Sequence, residues 1–275
     1  MSIKMVALDL DGTALNSKRE ITPGTLEAFR KAAEKGVHIV VSTGRPFTSL
    51  PENVTEIPWI EYAITSNGAH INYIKTGESV FDSFLSEAAI KRIAELAQKM
   101  DVQLELFYDG QAYMDYDFYE QIKKYGCEYR SAEYLLWSRK PLKNLVEVML
   151  ENSDRIENVN FSFRTVEMLE AARAEIEAIP EANITSSFPN NLEIGGPKTS
   201  KKDALEELTR MLGVDRSELM CCGDAPNDIG MIEYAGLGVA MGNAWGGTKD
   251  HADYVTATND EDGVAKAIEK FVLCE

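Results

Sequence analysis

Asp9-Leu10-Asp11-Gly12-Thr13 is the segment of this 275-residue chain with the most chemistry in it. It closes an apolar, β-rich run over residues 3–10, which has the composition of a strand buried in a parallel sheet. Two carboxylates two residues apart at the end of such a strand converge on one crevice above the sheet. Their approach is electrostatically costly unless a cation sits between them. Magnesium suits that place, being a hard ion that takes one or two carboxylates together with phosphate oxygens and water. Gly12 allows the chain to turn sharply out of the strand. Two plainer readings compete. In an EF-hand loop Asp9, Asp11, Thr13 and Glu20 would fall at positions one, three, five and twelve, but the glycine required at position six is Ala14 and a strand precedes the loop. The other is a solvated acidic turn.

A second acidic cluster, Gly223-Asp224-Ala225-Pro226-Asn227-Asp228, again follows an apolar run and precedes a helical stretch. Asp224 and Asp228 are candidate metal groups, and Asn227 is a neutral donor. The same residues also suit a turn, but their likeness in position to the first cluster favours a site. Lys201 and Lys202 fall in the first turn of the helix predicted over 199–212, where positive charge opposes the helix dipole. A sequence that breaks a local rule often does so at a site, and a lysine beside free backbone N–H groups makes an anion cradle. A solvated lysine is the alternative, and it suits Lys202 better. Thr43, with Ser42 beside it and Gly44 after it, offers a hydroxyl at a strand end that can donate to a phosphate oxygen. Arg45 can contact the bound anion or cap the rim. Other nucleophile schemes fit less well. His38, His70 and His251 lack the partners of a Ser-His-Asp or Cys-His site, and neither GxxxxGK[ST] nor GxGxxG occurs.

These residues need elements to hold them. Thr22-Pro23 predicts a helix start, Leu26, Phe29 and Ala33 keep its period, and Gly36 stops it. Strands follow at 37–41 and 62–65, the second ending at Ser66-Asn67-Gly68. Strand, helix, strand in this order is a βαβ unit. The C-terminal part repeats the style, with strands at 219–222, 238–241 and 254–255 and a short helix over 227–235. The middle differs. Tyrosines and charges are denser from 85 to 187, and helices predicted at 87–100, 141–151 and 166–179 mix with short strands such as 103–108. The expected fold is therefore α/β: a Rossmann-like parallel-sheet core with helices on both faces, formed by 1–84 and 188–275, and an inserted α+β unit over 85–187.

Composition narrows the partners. With 44% hydrophobic residues a substantial core can be buried. A formal net charge of −17 disfavours nucleic acid and anionic membrane surfaces. Any phosphate site must be built locally against that field. Cys127, Cys221, Cys222 and Cys274 fit neither a zinc site nor a disulfide framework. Free thiols and a start too short and too acidic for a secretory leader lead to the expectation of a cytoplasmic protein, and no run approaches the ~18 apolar residues of a membrane span.

In this order the pieces resemble the haloacid dehalogenase superfamily of phosphohydrolases. Asp9 to Thr13 looks like its first motif, Ser42-Thr43-Gly44-Arg45-Pro46 its second, Lys201 its third, and Gly223 to Asp228 its fourth. Ser66-Asn67-Gly68-Ala69, Leu192-Glu193-Ile194 and Gly238 to Ala244 are similar to the Cof-type branch, in which a large α/β cap separates the second and third motifs. The resemblance implies a magnesium-dependent phosphatase acting on small phosphorylated metabolites, with sugar phosphates expected. Asp9 would be the nucleophile that becomes an aspartyl-phosphate, and Asp11 the acid and base. The metal would be held by Asp9, the Asp11 backbone carbonyl and Asp224, with Asp228 in support. Thr43, Lys201 and Asn227, with Gly44 and Arg45 alongside, would hold the phosphoryl oxygens. Tyr108, Asp109, Tyr113 and Asp115 form a polar-aromatic stretch of the cap that could select the leaving group, although tyrosines at strand spacing more often pack. The alternatives are a phosphosugar mutase or phosphotransferase, and a non-catalytic phosphometabolite sensor.

Overall fold

The computed structural model describes residues 2–127 and 130–274. The chain divides into two units: Met1–Arg45, Leu50–Asp82 and Ser200–Glu275 form the first, Pro46–Ser49 and Ser83–Thr199 the second. The first unit begins with β1 (Met5–Leu8), α1 (Pro23–Glu34), β2 (His38–Ser42), a short α2 (Glu52–Thr55), β3 (Ile60–Thr65), β4 (His70–Tyr73) and β5 (Glu78–Asp82). The second unit follows with α3 (Glu87–Lys99), β6 (Gln103–Tyr108), β7 (Gln111–Asp115), α4 (Tyr116–Tyr125), α5 (Ala132–Ser138), β8 (Arg139–Leu142), α6 (Leu145–Glu151), β9 (Ile156–Ser162), α7 (Val166–Glu177), β10 (Asn183–Thr185) and β11 (Asn191–Gly195). The first unit then resumes with α8 (Lys201–Leu212), β12 (Leu219–Gly223), α9 (Ile229–Tyr234), β13 (Leu237–Ala240), β14 (Tyr254–Val255) and α10 (Gly263–Ile268). None of the described helices is long and apolar enough to cross a membrane.

The first unit is built on a sheet of order β14-β13-β12-β1-β2-β3-β4-β5. Pairing is parallel from β14 to β3 and antiparallel across β3, β4 and β5. The antiparallel hairpin was not legible in the sequence, because 70–82 carries few of the apolar residues that mark the parallel strands. Every residue of β1 is fully buried, as a strand covered on both faces requires. Met5, Ala7 and Val40 pack with Ala204, Leu205 and Leu208 of α8 and Met231 of α9. Val6 and Leu8 point the other way by the two-residue alternation of a strand, and they are buried too. Thr22 caps α1 as expected, its side chain accepting from the Thr25 N–H. The helix buries Ala28, Phe29 and Ala32, and packs on α10.

The second unit holds a sheet of order β10-β11-β9-β6-β7-β8, antiparallel except for β7 beside β8. One face packs Leu104, Leu106, Phe161 and Ile194 against Ile90 and Ile93 of α3, Met149 of α6 and Leu169 of α7. The register puts Glu193, Asn160, Glu105 and Met114 in one row across the opposite face, and that face is polar where α4 and α5 do not cover it. Two expectations need correction here. Residues 141–151 are not one helix: Arg139–Leu142 is an edge strand, where Pro141 needs no N–H partner, and α6 starts only after Asn144 in left-handed conformation. The inserted unit also runs on past 187, because β11 pairs antiparallel with β9.

Candidate active site

The site lies in the first unit, above the C-terminal ends of β1, β2 and β12. Leu8 pairs with Val41 on one side and Cys222 on the other, so the residues that follow these three strands leave the sheet side by side. The chain steps from β1 to β2 in one direction and reaches β12 from the other, which makes the ends of β1 and β12 a topological switch point. Asp9 continues β1 by donating its N–H to the Cys222 carbonyl at 3.1 Å.

Asp9, Asp224 and Asp228 meet here, each offering a carboxylate oxygen, the three atoms within 4.8 Å of one another. Lys201, the first residue of α8, is 1% exposed, and its Nζ donates to Asp9 Oδ1 and Asp228 Oδ1, both at 2.6 Å. The other oxygen of Asp228 accepts from the backbone N–H groups of Asp224 at 2.9 Å and Ala225 at 3.0 Å. Asp228 therefore locks the turn after β12 and anchors the lysine. Asp224 Oδ1 accepts from the Thr13 hydroxyl at 3.0 Å. Gly12 has φ +83°, and a Cβ on it would stand 2.5 Å from Asp224 Oδ2, so both conformation and space call for glycine.

Three carboxylates against one ammonium leave an excess of negative charge in a buried place. Burial pushes the Asp9 carboxyl well above the usual range; Lys201 opposes this, while Asp228, Asp224 and Asp11 add to it. Burial, and then the charge of Asp228, pushes Asp224 up to about 7 against the Thr13 hydrogen bond. Burial works against the Lys201 charge, but Asp228 and Asp9 outweigh it and hold its pKa above the ordinary lysine value. The donor set fits a hard divalent cation, which takes carboxylate oxygens and cancels this excess.

Around this cluster lie the neutral groups. Thr43 is buried, and its hydroxyl accepts from the Arg45 N–H at 3.2 Å. The Asn67 N–H donates to the Thr43 carbonyl at 3.0 Å, and Asn227 Nδ2 donates to Asn67 Oδ1 at 3.1 Å. Gly44 lies against the same amide: a Cβ there would be 3.1 Å from Asn67 Oδ1. Ser42 Oγ and Asn227 Oδ1 are buried with no hydrogen-bond partner among the described residues, as groups awaiting a ligand or water are. Ser66 (φ 49°) and Asn67 (φ 57°) are non-glycine residues in the left-handed region, a cost of about 1–3 kcal/mol each that clusters at functional sites. Gly68, φ +102°, brings this turn to the start of α8, for a Cβ on it would lie 2.2 Å from the Ser200 carbonyl oxygen.

Of the residues the sequence singled out, the structure brings Asp9, Lys201, Asp224 and Asp228 together, and Thr43, Gly44 and Asn227 meet around Asn67. Asp11 differs. Its side chain is 55% exposed and stands outside the acidic trio; Arg45 Nε donates to Oδ2 at 2.7 Å and Nη2 to Oδ1 at 2.6 Å. Arg45 itself is 4% exposed, so it is not a rim residue but a buried fork that orients Asp11. Sequence reasoning gave no role to Asn67 or Thr13. The signal for Asn67 was its place after a third apolar strand; for Thr13 nothing short of the fold connects it to Asp224. In the second unit, the four residues of the polar-aromatic stretch have local work. Asp115 caps α4 by accepting from the Asp117 and Phe118 N–H groups. Asp109 pairs with Arg155 at 3.2 Å. Tyr108 and Tyr113 stack with ring centroids 4.7 Å apart, and burial, then Tyr108, pushes Tyr113 up to about 12.

Sequence comparison agrees with the geometry. The profile of the haloacid dehalogenase-like hydrolases matches residues 6–268, and the chain belongs to that family. It is 33% identical over 274 residues to the 5-amino-6-(5-phospho-D-ribitylamino)uracil phosphatase YcsE of Bacillus subtilis, covering 99% of this chain and 97% of the relative. It is 31% identical to the phosphatase YwpJ of the same organism, over 96% and 98% of the two chains. Among solved structures, the subclass IIB sugar phosphatase BT4131 superposes with a TM-score of 0.83 at 28% identity, over 98% of each chain. The protein is a phosphatase of the Cof-type branch, acting on phosphorylated substrates.

Proposed function

We propose that this phosphatase hydrolyses small phosphorylated metabolites, sugar and sugar-alcohol phosphates first among them, by a magnesium-dependent route through an aspartyl-phosphate on Asp9. The observation that carries the reading is the meeting of Asp9 with Asp224, Asp228 and the buried Lys201 at one switch point. The substrate class follows the names of two relatives, a phosphoribitylaminouracil phosphatase and a sugar phosphatase.

A carboxylate oxygen of Asp9 attacks phosphorus, and the bond from phosphorus to the ester oxygen breaks. Asp11 gives its proton to that leaving oxygen. In the second half Asp11 takes a proton from water, the water oxygen bonds to phosphorus, and the Asp9–phosphorus bond breaks. Both Asp11 oxygens are held by Arg45 in this structure, so one oxygen must leave the fork to carry the proton while Arg45 keeps its hold on the other and so orients the group. Lys201, Thr43 and Asn227 hold the phosphoryl oxygens and stabilise their charge. Asp9 and Asp224 would hold the metal and Asp228 would position the lysine and the turn; when bound, the ion supplies positive charge that lets an anion approach three carboxylates. The core is the first unit and the cap the second.

The test is phosphate release from a panel of hexose, pentose and polyol phosphates. Release should require Mg²⁺, stop with EDTA and return on adding the ion. Asp9→Asn should lower turnover by about 10³-fold or more with the fold intact. An Asp9→Asn enzyme that turns over at the wild-type rate would refute the assignment.

A further inference from the structure

The polar sheet face of the second unit carries a cavity none of whose lining residues belongs to the acidic site. Its volume is ≈ 420 Å³, and Phe118, Phe163, Leu135, Glu105, Arg130 and Ser162 are among the residues that line it. Glu105, 2% exposed, lies between two guanidinium groups. Arg139 Nε donates to Glu105 Oε2 at 2.9 Å, and Arg130 Nη1 donates to Oε1. Burial alone would raise this carboxyl; Arg130 and Arg139 outweigh it and hold it below the usual range. Arg139 is closed in, stacked over Phe107 and Tyr134 and donating to Ser138 Oγ at 2.8 Å.

One carboxylate between two guanidinium groups leaves one positive charge over, in a chain whose net charge is −17. Of the two arginines, Arg130 also lines the cavity, as does Arg164. The Arg130 side chain is 9% exposed, and its Nε has no hydrogen-bond partner among the described residues. Ser162 Oγ, at the end of β9 and lining the same cavity, is buried and without a hydrogen-bond partner among the described residues as well. A buried donor left unmatched is costly, and two in one cavity, one of them on a cation, is the chemistry of a site that accepts an anion. Phe118 and Tyr125 stand in the wall among Gln103, Gln121 and Asn190, so the ligand can present a body as well as a charge.

We propose that this cavity binds a small organic anion whose carboxylate or phosphoryl oxygens accept from Arg130 Nε and the Ser162 hydroxyl, with its apolar body against Phe118. The proposal does not rest on the phosphatase mechanism. Benzoate and phenylphosphonate, titrated separately into the ¹⁵N-labelled full chain in EDTA and followed by NMR, test it and distinguish a carboxylate ligand from a phosphoryl one. At least one probe should bind saturably, with shifts at Ser162 and Phe163. Arg130→Gln should weaken that binding by about tenfold or more, and Ser162→Ala by about threefold. Asp9→Asn should leave it unchanged. Ser162→Ala, which removes a single oxygen, decides alone if Arg130→Gln does not fold. No saturable binding by either probe at concentrations on the order of tens of millimolar, or binding undiminished in the cavity variants, would overturn the proposal.

Discussion

Lys201→Met puts the electrostatics of the site to a direct test. The lysine side chain is fully buried, and its ammonium is 2.6 Å from two carboxylates. Methionine fills nearly the same space and removes only the charge and its donors, leaving Asp9 and Asp228 facing each other unneutralised. Breaking a buried pair by removing one partner costs about 3–5 kcal/mol. Removing a cation from a helix N-terminus returns about 0.3–1 kcal/mol. The net loss is about 2–4.7 kcal/mol, which at about 2–4 °C per kcal/mol for a chain of this size lowers the melting temperature by ~4–19 °C. The loss should depend on pH. Asp9 already binds its proton more tightly folded than unfolded, and without Lys201 it binds tighter still. A carboxyl raised in the folded state contributes stability at acid pH that is lost as pH rises through its folded value. The gap between variant and wild type should therefore widen as pH rises above the ordinary carboxylate range, and melts at about pH 5 and about pH 8 compare the two. Circular dichroism melts in EDTA measure it. Lys202→Met is the control: this neighbour is 45% exposed with partners only at 3.9 Å, and its loss should cost under about 0.5 kcal/mol. Lys201→Met melting within about 1 °C of wild type at both pH values would refute the view that this lysine neutralises the cluster.

Other perturbations follow from the same geometry. Asp224, pushed up to about 7 by burial and Asp228, should compete with the ion for its proton, so Mg²⁺ affinity measured by calorimetry should fall by up to about tenfold per pH unit below that value. By the same linkage, the metal-free protein should melt lower as pH rises between about 4 and 7, and saturating Mg²⁺ should flatten the slope. Gly12→Ala should destabilise by about 2–4 kcal/mol, from a left-handed backbone and a Cβ 2.5 Å from Asp224, and should weaken Mg²⁺ binding in the same titration. Arg45→Met should release Asp11 and lower kcat by about tenfold or more with KM little changed, while Arg45→Lys, which keeps the charge without the fork, should recover only part of the loss.

The acidic strand ends were legible because they obey local rules. An apolar run followed by Asp9 and Asp11, or by Asp224 and Asp228, shows in sequence both a buried strand and a polar end. Lys201 was legible as a violation, a cation where a helix start prefers an anion. Of the two readings open for Arg45, the rim cap is set aside by its burial: an arginine near a strand end gives no sign of whether it lies at the rim or is buried as a fork. The second unit was the least legible. Its short strands alternate polar and apolar residues, and a segment such as Arg139–Leu142, with two basic residues and a proline, carries no strand pattern of its own; it pairs because β7 lies beside it. Asn191–Gly195 resembles the surrounding α/β style, yet its partner is β9.

The sequence by itself determined the α/β class, the strand that ends in Asp9, and the kinds of residue that would have to meet for phosphoryl chemistry. Those depend on period, composition and turn chemistry, all of which act over a few residues. The tertiary structure alone decided that residues from 9 to 228 share one crevice, that Thr13 orients Asp224, that Asn67 bridges Thr43 and Asn227, and that Asp11 faces Arg45 rather than the other acids. These are contacts between residues far apart in the chain, set by parallel register, by how closely Gly12 lets the Asp224 side chain approach, and by how closely Gly68 lets the Ser200 backbone approach. No local pattern carries that information, because the energy that selects it is the packing of the whole sheet.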